Sequence, residues 1–184
     1  MHPTTELNIE SRFAWDTRFT NLFNRCLKRY NSGDTDFENY YSNGDLAFLA
    51  EIGYKKREFF DFVEDNGDSG GTNPSLGTAL LVAAVRRDYF KVVMNGQAGE
   101  GTVNPDDLPG RGEELGGYAW LPRIIVKARG KLTGTLDPDI MYGCGGDRAF
   151  LGGVDIHPAD FLRAVWAADG DDQKILAYVN GEKS

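Results

Sequence analysis

A chain of 184 residues that is 41% apolar and 26% charged is long enough for one well-buried core or two small subdomains sharing one, and this balance excludes wholesale disorder. The net charge of −8 argues against nucleic acid as the main partner, because phosphate binding needs a basic face assembled against the protein's own field. No apolar run is long enough to span a bilayer, Met1 to Glu6 lacks a basic start followed by a hydrophobic core, and Cys26, Cys144, His2 and His157 lack the spacing of a disulfide framework or a metal site.

The expectation is therefore a cytoplasmic protein with no cofactor, no metal and no membrane contact. Residues 1–15 are polar and aperiodic and read as an N-terminal arm, followed by a single helical domain over 16–184. From Asp16, the spacing of Phe19, Leu22, Phe23, Cys26, Leu27 and Tyr30 by threes and fours predicts a helix ending near Ser32-Gly33. Cys26 lies on its apolar face, as a small hydrophobe would. A polar loop with Phe37, Tyr40 and Tyr41 follows, then a short helix through Leu46, Phe48, Leu49 and Ile52 closed by Gly53. A second helix carries Phe59, Phe60, Phe62 and Val63. Glu64 to Pro74 reads as a loop; its acidic residues lack the closing Glu of a calcium loop, so no metal is assigned.

Pro74 and Ser75 open the most hydrophobic helix, Leu76 to Met94, apolar nearly all round and so expected at the centre of the core. Arg86 and Arg87 on it point about 100° apart, so one at most faces inward, where it needs a carboxylate or a bound anion. Residues 95–117, rich in Gly, Pro and acid, read as a linker. A helix starts at Trp120-Leu121-Pro122-Arg123, with Ile124, Ile125, Ala128 and Leu132 on its apolar face and Arg123, Lys127, Arg129 and Lys131 on a basic one. The turn Tyr142-Gly143-Cys144-Gly145-Gly146 leads into a short helix from Arg148 with Asp147 as its N-cap. His157-Pro158 opens another helix, and Gln173 to Val179 forms the last. No segment reads as a strand. The fold class is all-α, a compact bundle of about eight helices.

Residues 44–65 align with 146–167 without a gap, and seven positions are identical (Gly44, Asp45, Ala47, Phe48, Leu49, Phe59 and Val63), where unrelated stretches would share roughly one or two. Allowing one gap upstream, Tyr41 meets Tyr142 and helix 16–32 meets helix 120–133. Two pseudo-symmetric repeats, about 16–94 and 118–181 and joined by the linker, are expected to pack face to face. Within the second, Cys144 with its glycines, and Arg148 in place of Leu46, have no counterpart in the first.

Several segments taken together carry a resemblance: Phe48 to Gly53, Phe60 to Asp65, Ala84 to Phe90, Trp120 to Ile125 with Lys127-Ala128-Arg129, and Met141 to Arg148. The combination resembles an uncharacterised bacterial family carrying the domain-of-unknown-function label 5069, over about Phe19 to Val179. It implies a soluble bacterial protein and supplies no activity, substrate or catalytic residue.

Chemistry alone yields two functional readings. In the first, the protein binds or acts on a small anionic metabolite. Arg supplies planar bidentate donors, and a glycine-rich helix start offers backbone N–H groups to an anion. The candidate nucleophile or redox thiol is Cys144, and the candidate ligand-binding residues are Arg86, Arg87, Arg123, Lys127, Tyr142, Asp147 and Arg148. His157 is the nearest base in sequence and reads more readily as a helix cap. In the second reading the chain is a non-catalytic helical adaptor for a protein partner, with its arginines paired internally to Asp65, Asp88 or Asp147.

Overall fold

In the computed structural model, which describes residues 14–181, the first apolar stripe becomes α1 (Trp15–Asn31), with Phe19, Leu22, Phe23 and Cys26 buried. The N-terminal arm lies outside the described residues apart from its last two. Burial pushes the Cys26 thiol up to about 12, as befits a side chain that serves as packing. Ser42 caps α2 (Asn43–Glu51) through a capping box in which the Asp45 carboxylate reaches back to the Ser42 N–H at 2.8 Å. Then come α3 (Lys56–Asp68) and α4 (Leu76–Val92), the latter capped by Ser75.

The second half holds α5 (Leu121–Thr133), α6 (Gly145–Gly153), α7 (Pro158–Ala168) and a final α8 (Asp172–Val179). The described residues thus hold eight α-helices in an all-α architecture. One cluster of buried side chains runs through it from Phe19 to Val179. Helix α1 packs on α3 and α5 packs on α7, while α4 touches α1, α5 and α7.

Three expectations are corrected. Helix α3 continues through Glu64 to Asp68, so the loop begins at Ser69. The acidic side chains there are committed elsewhere, Asp65 to Arg148 and Asp68 to the Tyr30 hydroxyl, and buried Asn66 donates to the Pro74 carbonyl at 2.8 Å. Helix α4 is central without being enclosed, since Ala79, Val82, Ala83 and Val85 are buried but Leu81 and Val92 face solvent, the latter 70% exposed.

The linker, finally, carries local structure. It holds a one-turn 3-10 helix at Pro105–Asp107 and a two-residue hairpin of β1 (Glu114–Leu115) and β2 (Tyr118–Ala119). Gly116 and Gly117 both have positive φ, as a tight hairpin turn with the twist of its strands requires. Val103 is strapped to the chain leaving α5: its N–H donates to Thr135 O at 2.8 Å and its carbonyl accepts from Asp137 N at 3.0 Å.

Replacing Phe59, which packs edge-on against Phe19 and Phe23, leaves a ring-sized void. Phe59→Ala is expected to lower unfolding free energy by about 3–5 kcal/mol in urea titrations, whereas Leu46→Ala on the exposed side of α2 stays within about 0.5 kcal/mol of the parent.

Candidate functional site

Five of the sequence candidates meet where α5 passes the head of α6. Asp147 is wholly buried and sits at the third position of α6; Cys144 occupies the N-cap position expected for it. Its carboxylate accepts from Lys127 Nζ at 2.5 Å, Gly143 N at 2.8 Å and Trp120 Nε1 at 2.9 Å. Three donors on one carboxylate, two of them from other segments, satisfy a buried charge that would otherwise be too costly to hold. Trp120 adopts a left-handed conformation (φ 73°) to deliver its indole N–H, a strain worth on the order of 1–3 kcal/mol in a bulky residue. Its ring lies on Gly146, where a Cβ would collide with it, so glycine at 146 is required by close approach.

The other candidates around this carboxylate are also engaged. Lys127, 4% exposed, lies 3.2 Å from Cys144 Sγ, so its ammonium bridges thiol and carboxylate. Arg148 reaches Asp65 at 2.8 Å and the Gly143 carbonyl at 2.6 Å, tying α6 to α3. The Tyr142 hydroxyl donates to the Pro158 carbonyl at 2.7 Å, and burial raises its pKa well above the ordinary value. Arg123 lies over the Trp120 ring and donates to Pro109 O at 2.8 Å. His157 caps α7, its Nδ1 accepting from Ala159 N at 3.1 Å.

Arg87 and Arg86 stand apart from this cluster. Arg87 turns outward, over the Trp15 ring and beside Asp88 at 3.0 Å. Arg86 turns inward to 2% exposure without a carboxylate: Nη2 donates to Gly53 O at 2.7 Å, Nη1 faces the Met94 sulfur, and Nε has no partner.

Beyond Arg86, between α3, α5 and the chain 134–142, opens a crevice of about 40 Å³, room for about three water molecules. Gly134, on its lining, lies so close to Arg86 that a Cβ there would overlap Nη2. The floor carries Lys131, 3% exposed, paired with Glu58 at 2.6 Å and lying over the Tyr54 ring. Burial alone would lower the Lys131 pKa, but Glu58 beside it raises it above the ordinary lysine value. Beside them Asp61 is pushed up to about 7 by desolvation, against the pull of Arg57 at 2.9 Å and of Lys131. Phe62, Leu136, Ile140 and Met141 supply apolar walls. Cys144 does not line this crevice.

Glu58 and Asp61 are absent from the sequence candidates, and Lys131, expected on a basic face with Arg123, Lys127 and Arg129, is buried instead, for which the sequence held a signal. At 100° per residue Lys131 falls within about 20° of Ile124, at the middle of the stripe that buries Ile124 and Ala128. A lysine centred on an apolar face needs a buried counter-charge. No comparable signal marks Asp61, because α3 is apolar on both sides of it.

Two measurements follow. Asp147→Ala strands the Lys127 ammonium in the interior and is expected to cost about 3–5 kcal/mol in denaturant titrations, against about 0.5–2 kcal/mol for Asp45→Ala, whose loss is chiefly that of a cap. Asp61 holds its proton in the folded state up to about pH 7 but loses it near pH 4 when unfolded, so its contribution destabilises the fold increasingly as pH rises between those values. Asp61→Asn should therefore gain roughly 2–4 kcal/mol relative to the parent between pH 4.5 and pH 8, read as the change in their stability difference; an unchanged difference refutes the assignment.

No curated protein and no solved structure matches the chain. The resemblance read from the motifs meets a family model over the C-terminal region, which holds Trp120 to Ile125 and Met141 to Arg148, while the motifs around Phe48, Phe60 and Arg86 lie outside the matched span. Residues 109–184, from the approach to β1 onward, match the family described as Domain of unknown function (DUF5069).

Proposed function

We propose that this protein binds a small anionic metabolite in the crevice between α3 and α5. The observation that carries the reading is a pair of buried cations, Lys131 on its lining and Arg86 packed behind the lining residue Gly134, near one paired carboxylate, Glu58, and a second carboxyl, Asp61, whose environment disfavours ionisation. An uncompensated cation held away from water is stabilised by any anion that reaches it. In this reading the Cys144, Lys127, Asp147 and Arg148 cluster holds the head of α6 in place and does not touch the ligand.

An internal duplication also supports this division of roles. Asp45 corresponds to Asp147 in the aligned stretch, and each is bridged by a cation from the helix before it, Arg25 at 2.6 Å and Lys127 at 2.5 Å. The same anchor in both halves fits a structural part inherited by both. We further read the chain as a cytoplasmic protein of bacterial origin, on its composition and on the resemblance of its motifs.

The alternative, a non-catalytic adaptor, draws support from the arginines that are already paired with carboxylates and from Leu81, Val92 and Val93 exposed along α4. A melting screen with anionic metabolites separates the two. At a hundredfold excess over Kd a ligand adds roughly 2.7 kcal/mol, a shift of several degrees. The shift is expected to survive Cys144→Ala and to vanish in Met141→Trp, which fills the crevice. If no anion moves the parent protein, the adaptor reading gains.

A further inference from the structure

Resting on that reading, we propose that the crevice selects a monocarboxylic acid with a short apolar tail, its head group held by Lys131 and Arg57 and its tail lying between Phe62, Leu136, Ile140 and Met141. The charge count at the floor points to a monoanion. Of the charges on the crevice lining, Arg57 and Lys131 contribute two positive and Glu58 one negative, with Lys55 and Asp137 cancelling, so the set carries a single excess positive charge when Asp61 is protonated and none when it is ionised. One incoming carboxylate balances the protonated state. A phosphate dianion overshoots it, and an amine meets two cations.

The donors suit a carboxylate as well. Lys131 is ion-paired with Glu58 alone, Arg57 has its guanidinium between Asp61 and Glu64, and a protonated Asp61 donates rather than repels. The walls then reward a tail: each methylene sheltered from water is worth about a fourfold gain in affinity.

Binding is coupled to one proton. The charged groups facing Asp61 are Arg57, Glu58 and Glu64 from its own helix and Lys131 from α5, with Lys55 and Asp137 also lining the crevice. An anion entering this set adds to Glu58 in holding the Asp61 proton, so affinity falls as pH rises through neutrality. Above the midpoint, Kd grows about tenfold per pH unit.

Titration calorimetry with acetate, butanoate, hexanoate, hexanamide, hexylamine and inorganic phosphate tests each part on the unmodified protein. Hexanoate is expected to bind more tightly than butanoate and acetate, hexanamide at least tenfold more weakly, and hexanoate more tightly at pH 6 than at pH 8. Asp61→Asn, close in shape, should bind hexanoate with no such pH dependence. Binding of phosphate or hexylamine in place of hexanoate overturns the carboxylate assignment while leaving the crevice as a site. Silence from every probe removes the crevice reading itself. A pH dependence that persists in Asp61→Asn overturns the proton coupling.

Discussion

Charge carried into an interior has to be answered within a few ångströms, and the arrangement of this molecule follows from how three such charges are answered. Lys127 meets Asp147, Lys131 meets Glu58, and Arg86 meets a carbonyl and a thioether but no acid. The first two pairs tie α5 to the head of α6 and to the start of α3, so one face of one helix sets the register of both neighbours. A slip by one residue would leave two ammonium groups unpaired at several kcal/mol each, a penalty that apolar packing alone does not impose. The third charge lies beside the crevice, where the same logic leaves a demand unmet.

The two ion pairs of α5 differ in kind although they lie one helical turn apart. Around Asp147 three donors converge on the carboxylate, which is out of reach of solvent, the condition of a fixed strut. Around Lys131 the pairing is thinner: an aromatic ring, one carboxylate, and a neighbouring acid held near its midpoint at neutral pH. Saturated polar networks rigidify, while partly answered ones respond to what approaches. On this ground the proposed ligand binding is assigned to the second pair and structural support to the first.

Periodicity made the fold legible. The stripes of Phe19, Leu22 and Phe23 and of Ile124, Ile125 and Ala128 predicted α1 and α5, and Ser75 and His157 marked the starts of α4 and α7. Where the reading went astray, tertiary contacts overrode local signals. Glu64 to Asp68 has loop composition, but Asn66 and Asp65 find partners at Pro74 and Arg148 that hold them helical. Cys144, Lys127, Asp147 and Arg148 meet around α6, whereas adjacent arginines on one helix are bound to diverge, and Arg86 and Arg87 do so. What stayed hidden is the crevice, because Glu58, Asp61, Lys131 and Gly134 are scattered over some seventy residues and converge only in three dimensions.

The contact between Arg86 and Gly134 bears on how this chain can drift in evolution. Gly134 sits in the left-handed region at φ 71° and leaves no space for a Cβ beside the guanidinium. Neither position is free alone: a side chain at 134 expels the arginine, and a smaller residue at 86 opens a hole beneath the crevice. The two sites should change together or not at all, so that among relatives the loss of the arginine is accompanied by a bulkier residue in the turn. Such paired replacement would mark lineages in which the lining of the crevice has been rebuilt.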